Sequence, residues 1–303
     1  MVAADSEAVR HGVSLQGGVV MIVVTGGNGT VGSSLVEQLR AAGEKVWVVV
    51  RSGEKGRAAA SLGAEVAVAQ VQDEEAFGKA VEGADSLFLN TASMPGFVDA
   101  QKSAIDTALA AGVSRIVRQS AFRAAPDDPM SFGRGHAELD AYLQATGAEW
   151  TILEPNGFFS NILAMAGSIR QGGIYTNAGD GKVAMIDPRD IAAVAAATLT
   201  EPGHGGQVYL LTGPEAIGYA AVAATLTRLL GHQVGYVPID DGSAKAALIG
   251  LGLHAEQAAD IVALGAHYAA GQASEVTDDV ERLTGTAPRP FETFVADNLA
   301  AFD

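Results

Sequence analysis

Met21-Ile-Val-Val-Thr25, Gly26-Gly27-Asn28-Gly29-Thr30-Val31-Gly32 and Ser33-Ser-Leu-Val-Glu-Gln-Leu39 follow one another without interruption. An apolar β-branched run, a glycine turn and an amphipathic stretch read as strand, turn and helix. Each glycine answers a separate demand. Gly26 takes the chain out of the strand with an unusual backbone angle, Gly29 admits backbone N–H groups to a pyrophosphate, and Gly32 lets the helix pack close to the sheet. A second apolar run, Lys45-Val-Trp-Val-Val-Val50, comes directly behind. That context separates a dinucleotide cradle from a bare turn, and it makes Gly26, Asn28, Gly29, Thr30 and Val31 candidates for cofactor contact.

The alternation continues outward. Glu65–Ala69, Ser86–Asn90, Arg115–Gln119 and Trp150–Leu153 read as further strands, with helices Thr30–Ala42, Asp73–Val81 and Phe97–Ala111 stopping at Gly43, Gly83 and Gly112. Six strands in this rhythm predict an α/β fold: a doubly wound parallel sheet (Rossmann) with its ligand crevice at the carboxyl ends of the strands. Thr25, Arg51, Gln70, Asn90, Ser120 and Glu154–Asn156 fall there, so Thr25, Asn90, Thr91 and Pro155 join the cofactor candidates. After Pro155 the pattern loosens, then returns with helix Asp190–Leu199 and strand Gln207–Leu211. The expected organisation is a dinucleotide-binding core over 21–155 and a smaller C-terminal substrate lobe over 156–303, from which 183–212 return to the core. Residues 1–20 are read as an extension outside the fold, a disordered arm or a tag remnant.

Composition bounds the partners. The chain has 303 residues, 48% of them hydrophobic, enough for one large core with an appended lobe. Thirty-five acidic against 19 basic side chains leave a formal net charge of −16, which weighs against nucleic acid and anionic membranes. Without cysteine there is no disulfide, thiolate nucleophile or thiolate metal site, and His, Asp and Glu lack metal-type spacing, so no metal is expected. No signal core or membrane-length apolar run stands out, and the expectation is a cytoplasmic protein acting on a small neutral or aromatic molecule, with a homodimer left open.

The chain resembles the NmrA-like branch of the atypical short-chain dehydrogenase/reductases. The resemblance rests on Thr25–Gly32, Val50-Arg51-Ser52, Thr151-Ile-Leu-Glu-Pro-Asn-Gly-Phe-Phe-Ser-Asn161, Asp187-Pro-Arg-Asp-Ile-Ala192, Leu211-Thr-Gly-Pro-Glu215 and Pro288-Arg-Pro-Phe-Glu-Thr-Phe294, found in that order from Met21 to Phe302. In shape the chain is most similar to the NADPH-dependent quinone reductases of that branch. The resemblance implies an adenine contact for Asp73, which reads equally as a helix N-cap, a place beside the nicotinamide for Ser120, and a His136/Glu138 pattern like that of the quinone reductases. One departure bears on chemistry. Conventional members place Tyr and Lys one helical turn apart, whereas here Thr146 stands four residues after Tyr142. Without that proton-donating pair, hydride delivery to an easily reduced acceptor is favoured.

Residue chemistry fills in the site. Arg51 stands where an NAD-specific site places a carboxylate, and with Lys55 and Arg57 it suits the 2′-phosphate of NADPH. His136 is the nearby group that ordinarily titrates near neutrality, a proton donor or ribose ligand beside Ser120. Phe158, Phe159 and Asn161 are expected at the substrate site, since adjacent aromatics on one helix cannot both face its core. Asp187 and Asp190 read as cap and dipole partners. The residues from Gly157 to Gly173 and from Ala216 to Ala270, rich in Gly and Ala, are expected to leave room for a polycyclic acceptor. The function expected is NADPH-dependent reduction of a quinone or conjugated aromatic ketone. An NADP(H)-sensing regulator without turnover and a non-redox isomerase or epimerase working through His136 and Glu138 remain the alternatives.

Overall fold

Ile22, Val23 and Val24 are wholly buried because strand β1 (Met21–Thr25) is covered on both faces, which is why it reads as an unbroken apolar run. In the computed structural model, which describes residues 20–302, β1 lies inside a sheet with β2 (Lys45–Val50), β3 (Glu65–Val68), β4 (Ser86–Leu89), β5 (Arg115–Gln119) and β6 (Glu149–Pro155). Helices α1 (Thr30–Ala41), α2 (Gly53–Ser61), α3 (Glu74–Val81), α4 (Phe97–Ala110) and α5 (Ser131–Gln144) connect the strands in turn. What was expected of residues 1–19 lies outside the described residues.

The remainder of the chain forms α6 (Ala166–Arg170), β7 (Gly173–Thr176), β8 (Lys182–Val183), α7 (Pro188–Thr200), β9 (Gln207–Leu211), β10 (Ile217–Gly218), α8 (Tyr219–Leu230), β11 (Gly235–Pro238), α9 (Asp241–Gly250), α10 (Ala255–Ala269), α11 (Asp279–Thr284) and α12 (Phe291–Asp297). The main sheet is parallel in the order β3-β2-β1-β4-β5-β6-β9, the six strands of the first half joined by the returning strand Gln207–Leu211. The seventh comes from the second half of the chain: β9 pairs with β6, Pro155 opposite Leu211. It gets there through α7, which is capped by the Asp187 side chain on Arg189 N–H and packs beside α1.

Two features depart from the sequence reading. The segment after Arg51 forms α2, its Ala58-Ala59-Ala60 run favouring helix and Gly56 allowing a close approach to Val66, where a Cβ would lie 2.4 Å from a methyl group. Helix α11 also returns to the core, lying against α7 and β9, so the lobe is interrupted twice.

Strand order reverses between β1 and β4, and a crevice opens there beyond the carboxyl ends. Leu35, Val36 and Leu39 of α1 and Ile191, Val194 and Ala195 of α7 fill one face of the sheet; Phe77, Ala104, Ile105 and Leu143 fill the other. The lobe has its own core around Phe159, Tyr219, Phe291 and Phe294 and sits over the crevice. Among the described residues no helix is long and apolar enough to cross a membrane.

Candidate active site

A cavity of about 960 Å³ runs along the strand ends beneath the lobe. Thr25, Gly26, Asn28, Gly29, Thr30, Val31, Arg51, Asn90, Thr91, Ser120, His136, Pro155, Phe158 and Asn161 all line it.

The glycine turn forms the floor. Gly26 has φ +66°, and Gly29 N–H donates to Gly26 O at 2.8 Å. A Cβ on Gly32 would stand 2.2 Å from Gly26 O, and one on Gly26 would stand 2.6 Å from Asn90 O. Only glycine permits this closeness. Helix α1 begins at Gly29 with no side-chain cap, so its first N–H groups are left for a ligand in the cavity. A twelve-residue helix with an open amino end and a glycine floor fits a pyrophosphate. Thr25 is at the wall, but its buried hydroxyl is committed to β4: it accepts from Asn90 N–H at 2.8 Å and lies within bonding distance of Phe88 O and Asn90 O.

At the β2 end, exposed Arg51 borders the cavity with Gln70, Val71 and Gln72. Lys55 and Arg57 do not reach this wall, because α2 carries them past it and Arg57 pairs with Glu54 at 3.0 Å. Asp73 stands off this wall too, and of its two readings the helix cap is the one seen. Its carboxylate caps α3 through Ala76 N–H at 3.0 Å, and it borders a separate shallow depression beside Trp47.

Behind Ser120 lies a polar network that the sequence reading missed. Arg118, wholly buried in β5, is ion-paired to Asp140 and donates from Nε to Gln101 Oε1 at 3.0 Å. Its Nη2 donates to His136 Nδ1 at 2.8 Å. A guanidinium only donates, so Nδ1 accepts and the neutral imidazole carries its hydrogen on Nε2. That hydrogen goes to Ser93 Oγ, 3.1 Å away, leaving the Ser93 hydroxyl hydrogen free. Burial, aided by the Arg118 charge, pushes His136 down to about 3. His136 is therefore no proton donor at neutral pH.

Ser120 Oγ donates to Asp140 Oδ2 at 2.5 Å, so toward the cavity it offers lone pairs only. Burial raises the Asp140 pKa above the ordinary carboxylate value, while Arg118 and Ser120 oppose the rise by bonding the ionised form. On the third side Gln101 Nε2 donates to Thr91 Oγ1 at 2.8 Å. Three cavity hydroxyls, Thr91, Ser93 and Ser120, are thus set by one buried arginine. Glu138 faces away and pairs with Lys102 at 2.6 Å, so it forms no acid/base pair with His136. A signal for the network existed: a cation inside a buried strand needs a partner, and His136 and Asp140, four residues apart, share one face of α5.

The far end of the cavity is aromatic. Phe97, Phe122, Phe132, Phe158 and Tyr268 line it with Met94, Met130 and Leu264. Phe158 and Phe159 divide as adjacent residues must: Phe158 lines the cavity, while Phe159 is buried in the lobe between Phe291 and Phe294, at ring-centroid distances of 5.2 and 5.7 Å. Phe159 is thus removed from the expected substrate contacts. Most of this wall comes from the loops after β4 and β5 rather than from the small-residue lobe segments. His267, for which no role was expected, also borders it.

A family model described as NAD(P)H-binding matches residues 26–202. An NAD(P)H azoreductase of Xenophilus azovorans is 37% identical over 283 residues, 93% of this chain and 99% of that protein. A (4-alkanoyl-5-oxo-2,5-dihydrofuran-3-yl)methyl phosphate reductase of Streptomyces griseus is 34% identical, again over 93% and 99%. The crystal structure of the quinone oxidoreductase QOR2 of Escherichia coli complexed with NADPH superposes with a TM-score of 0.85, 29% identity and coverage of 92% and 100%. The chain belongs to the NAD(P)H-binding, NmrA-like branch of the atypical short-chain dehydrogenase/reductases, a family of NAD(P)H-dependent oxidoreductases.

Proposed function

We propose that this NmrA-like oxidoreductase uses NADPH to reduce a quinone or a similarly conjugated aromatic acceptor. The observation that carries the reading is the polarity of one continuous cavity, with a glycine cradle and Arg51 toward one end and five aromatic rings at the other. The bound nicotinamide supplies the hydride. Gly26, Gly29 and the start of α1 would hold the pyrophosphate, and Arg51 would face the 2′-phosphate. Ser120, a fixed lone-pair donor, suits the amide N–H₂ of the carboxamide. The phenylalanine wall excludes water and positions a flat acceptor by stacking and burial.

Neither Asp140 nor His136 is free to act as acid or base on the acceptor, since both are engaged in the network behind Ser120. That suits an acceptor whose reduction needs little acid catalysis. Two relatives act on conjugated systems by their names, an azoreductase and a quinone oxidoreductase, which supports the same class here. The test is NADPH oxidation by purified protein with a panel of quinones and azo compounds. Turnover with NADPH exceeding that with NADH is expected, and no oxidation above background with any acceptor would overturn the proposal.

A further inference from the structure

One tyrosine hydroxyl at the aromatic end opens on the cavity without a protein partner among the described residues. Tyr268 on α10 is 7% exposed and lines the cavity beside Gly157 and Phe158. Among the described residues nothing hydrogen-bonds to its Oη. A hydroxyl that the protein leaves unpaired on a cavity wall keeps its hydrogen available to whatever occupies the cavity. The phenol has a defined position. A Cβ on Gly157 would stand 2.7 Å from Tyr268 Oη, so the hydroxyl hangs over the backbone just beyond β6. Ser120 N–H donates to Leu153 O at 2.7 Å, which makes the ends of β5 and β6 neighbours. Tyr268 therefore reaches down from the lobe onto the strand ends that carry Ser120, opposite the end that holds Arg51.

The other cavity hydroxyls lie on the sheet side: Ser120 gives its hydrogen to Asp140, Thr25 is tied to β4, Thr30 starts α1, and Thr91 and Ser93 belong to the β4–α4 loop, so Tyr268 is the hydroxyl that the lobe supplies. Burial, with nearby Tyr219 adding to it, holds the Tyr268 phenol above its ordinary pKa, so it keeps its hydrogen throughout the neutral range.

We propose that Tyr268 is a catalytic hydrogen-bond donor to the heteroatom of the acceptor on which negative charge gathers as it is reduced. It donates a hydrogen bond and retains its proton; the proton of the product comes from water. The chain thus replaces the absent helix tyrosine with one brought from the lobe. The role in rate rests on the reductase reading, whereas the donor itself can be examined by binding alone.

Tyr268→Phe removes one oxygen and leaves the ring. Titration of 2,4-dinitrophenolate, an aromatic oxyanion at neutral pH, into NADP⁺-saturated protein reads the donor without turnover. The wild type is expected to bind it about tenfold more tightly than Tyr268→Phe and to move its absorption band to shorter wavelength, as a donated hydrogen bond does. With NADPH and 1,4-naphthoquinone the variant should lose about a hundredfold in kcat with little change in KM or in NADPH affinity. An unchanged thermal midpoint, and an unchanged rise on adding NADPH, show that the lobe is still folded. Equal dinitrophenolate affinity and band position in the two proteins, or no binding by the wild type, overturns the proposal. A wild type that binds dinitrophenolate through Tyr268 but never oxidises NADPH refutes the reductase reading and leaves the donor standing.

Discussion

We propose that Arg51 sets cofactor choice by charge sign. A guanidinium at the end of β2 attracts a 2′-phosphate, whereas a carboxylate there repels it and accepts from a 2′-hydroxyl. Arg51→Asp should therefore reverse the preference, with NADPH binding at least tenfold weaker and NADH tighter, read by fluorescence titration of both cofactors. Equal affinities in the wild type would refute the assignment. His136 carries a second prediction. Its folded pKa of about 3 lies below the ordinary 6.5, so the unfolded chain binds the extra proton first as pH falls. Stability is full above the ordinary value and declines on acidification by up to about 1.4 kcal/mol per pH unit. Glu154, pushed up to about 7 chiefly by burial, acts in the opposite sense, because its folded form takes the proton first. A comparison isolates the histidine: between pH 6 and pH 4, urea unfolding should shift in favour of His136→Gln over the wild type by roughly 2–3 kcal/mol. At this scale the sequence disclosed the positions of the glycines and Arg51 on the cavity wall, which are set locally. It did not disclose Asp140 or Gln101, whose roles come from α5 and α4 packing them against Arg118 on one face of the sheet.

At the scale of elements, the strand–turn–helix unit tolerates almost no added volume. The Cβ of Gly32→Ala would enter within 2.2 Å of Gly26 O, a backbone atom that cannot move without displacing the turn. The expected cost is about 2–3 kcal/mol, together with loss of the rise in thermal midpoint on adding NADPH. Gly43→Ala is the control, since its Cβ would meet nothing within 4 Å, although its φ of +86° adds strain of its own. A Gly32→Ala protein with the wild-type midpoint and cofactor response would refute the close-packing argument. The first six strands were legible because each is an apolar run bounded by turns, and their edges moved by only a residue or two, as with Glu65–Val68 and Glu149–Pro155. Placing β9 beside β6 and α11 against α7 depends on contacts between distant segments, which no local period encodes. Helix α2 was hidden by its charges, which read equally well as a basic loop.

Over the whole molecule, the site exists only where lobe and sheet meet, and specific contacts hold them together. Asn156 Nδ2 donates to Ala273 O at 2.9 Å, and Ser131 N–H donates to Asp260 Oδ1 at 2.8 Å. Arg123 has a positive φ of 50° in the β5–α5 loop; its N–H donates to Glu154 at 2.9 Å and its Nε to Glu275 at 2.9 Å. That loop carries Phe122 and leads to Met130 and Phe132, so the exposed Arg123–Glu275 pair tethers the aromatic wall to the lobe. Exposed pairs stabilise little, under about 1 kcal/mol. Glu275→Ala should consequently leave the thermal midpoint nearly unchanged. What it releases is the position of the wall, and the KM for 1,4-naphthoquinone should rise roughly threefold, the equivalent of about 0.7 kcal/mol, while NADPH affinity at the distant cradle stays constant. Salt supplies the discriminating control, since roughly 1 M ionic strength shortens the screening length to about 3 Å. High salt should raise KM in the wild type and leave the already untethered variant unmoved; an equal salt response in both would show that this pair does not hold the wall.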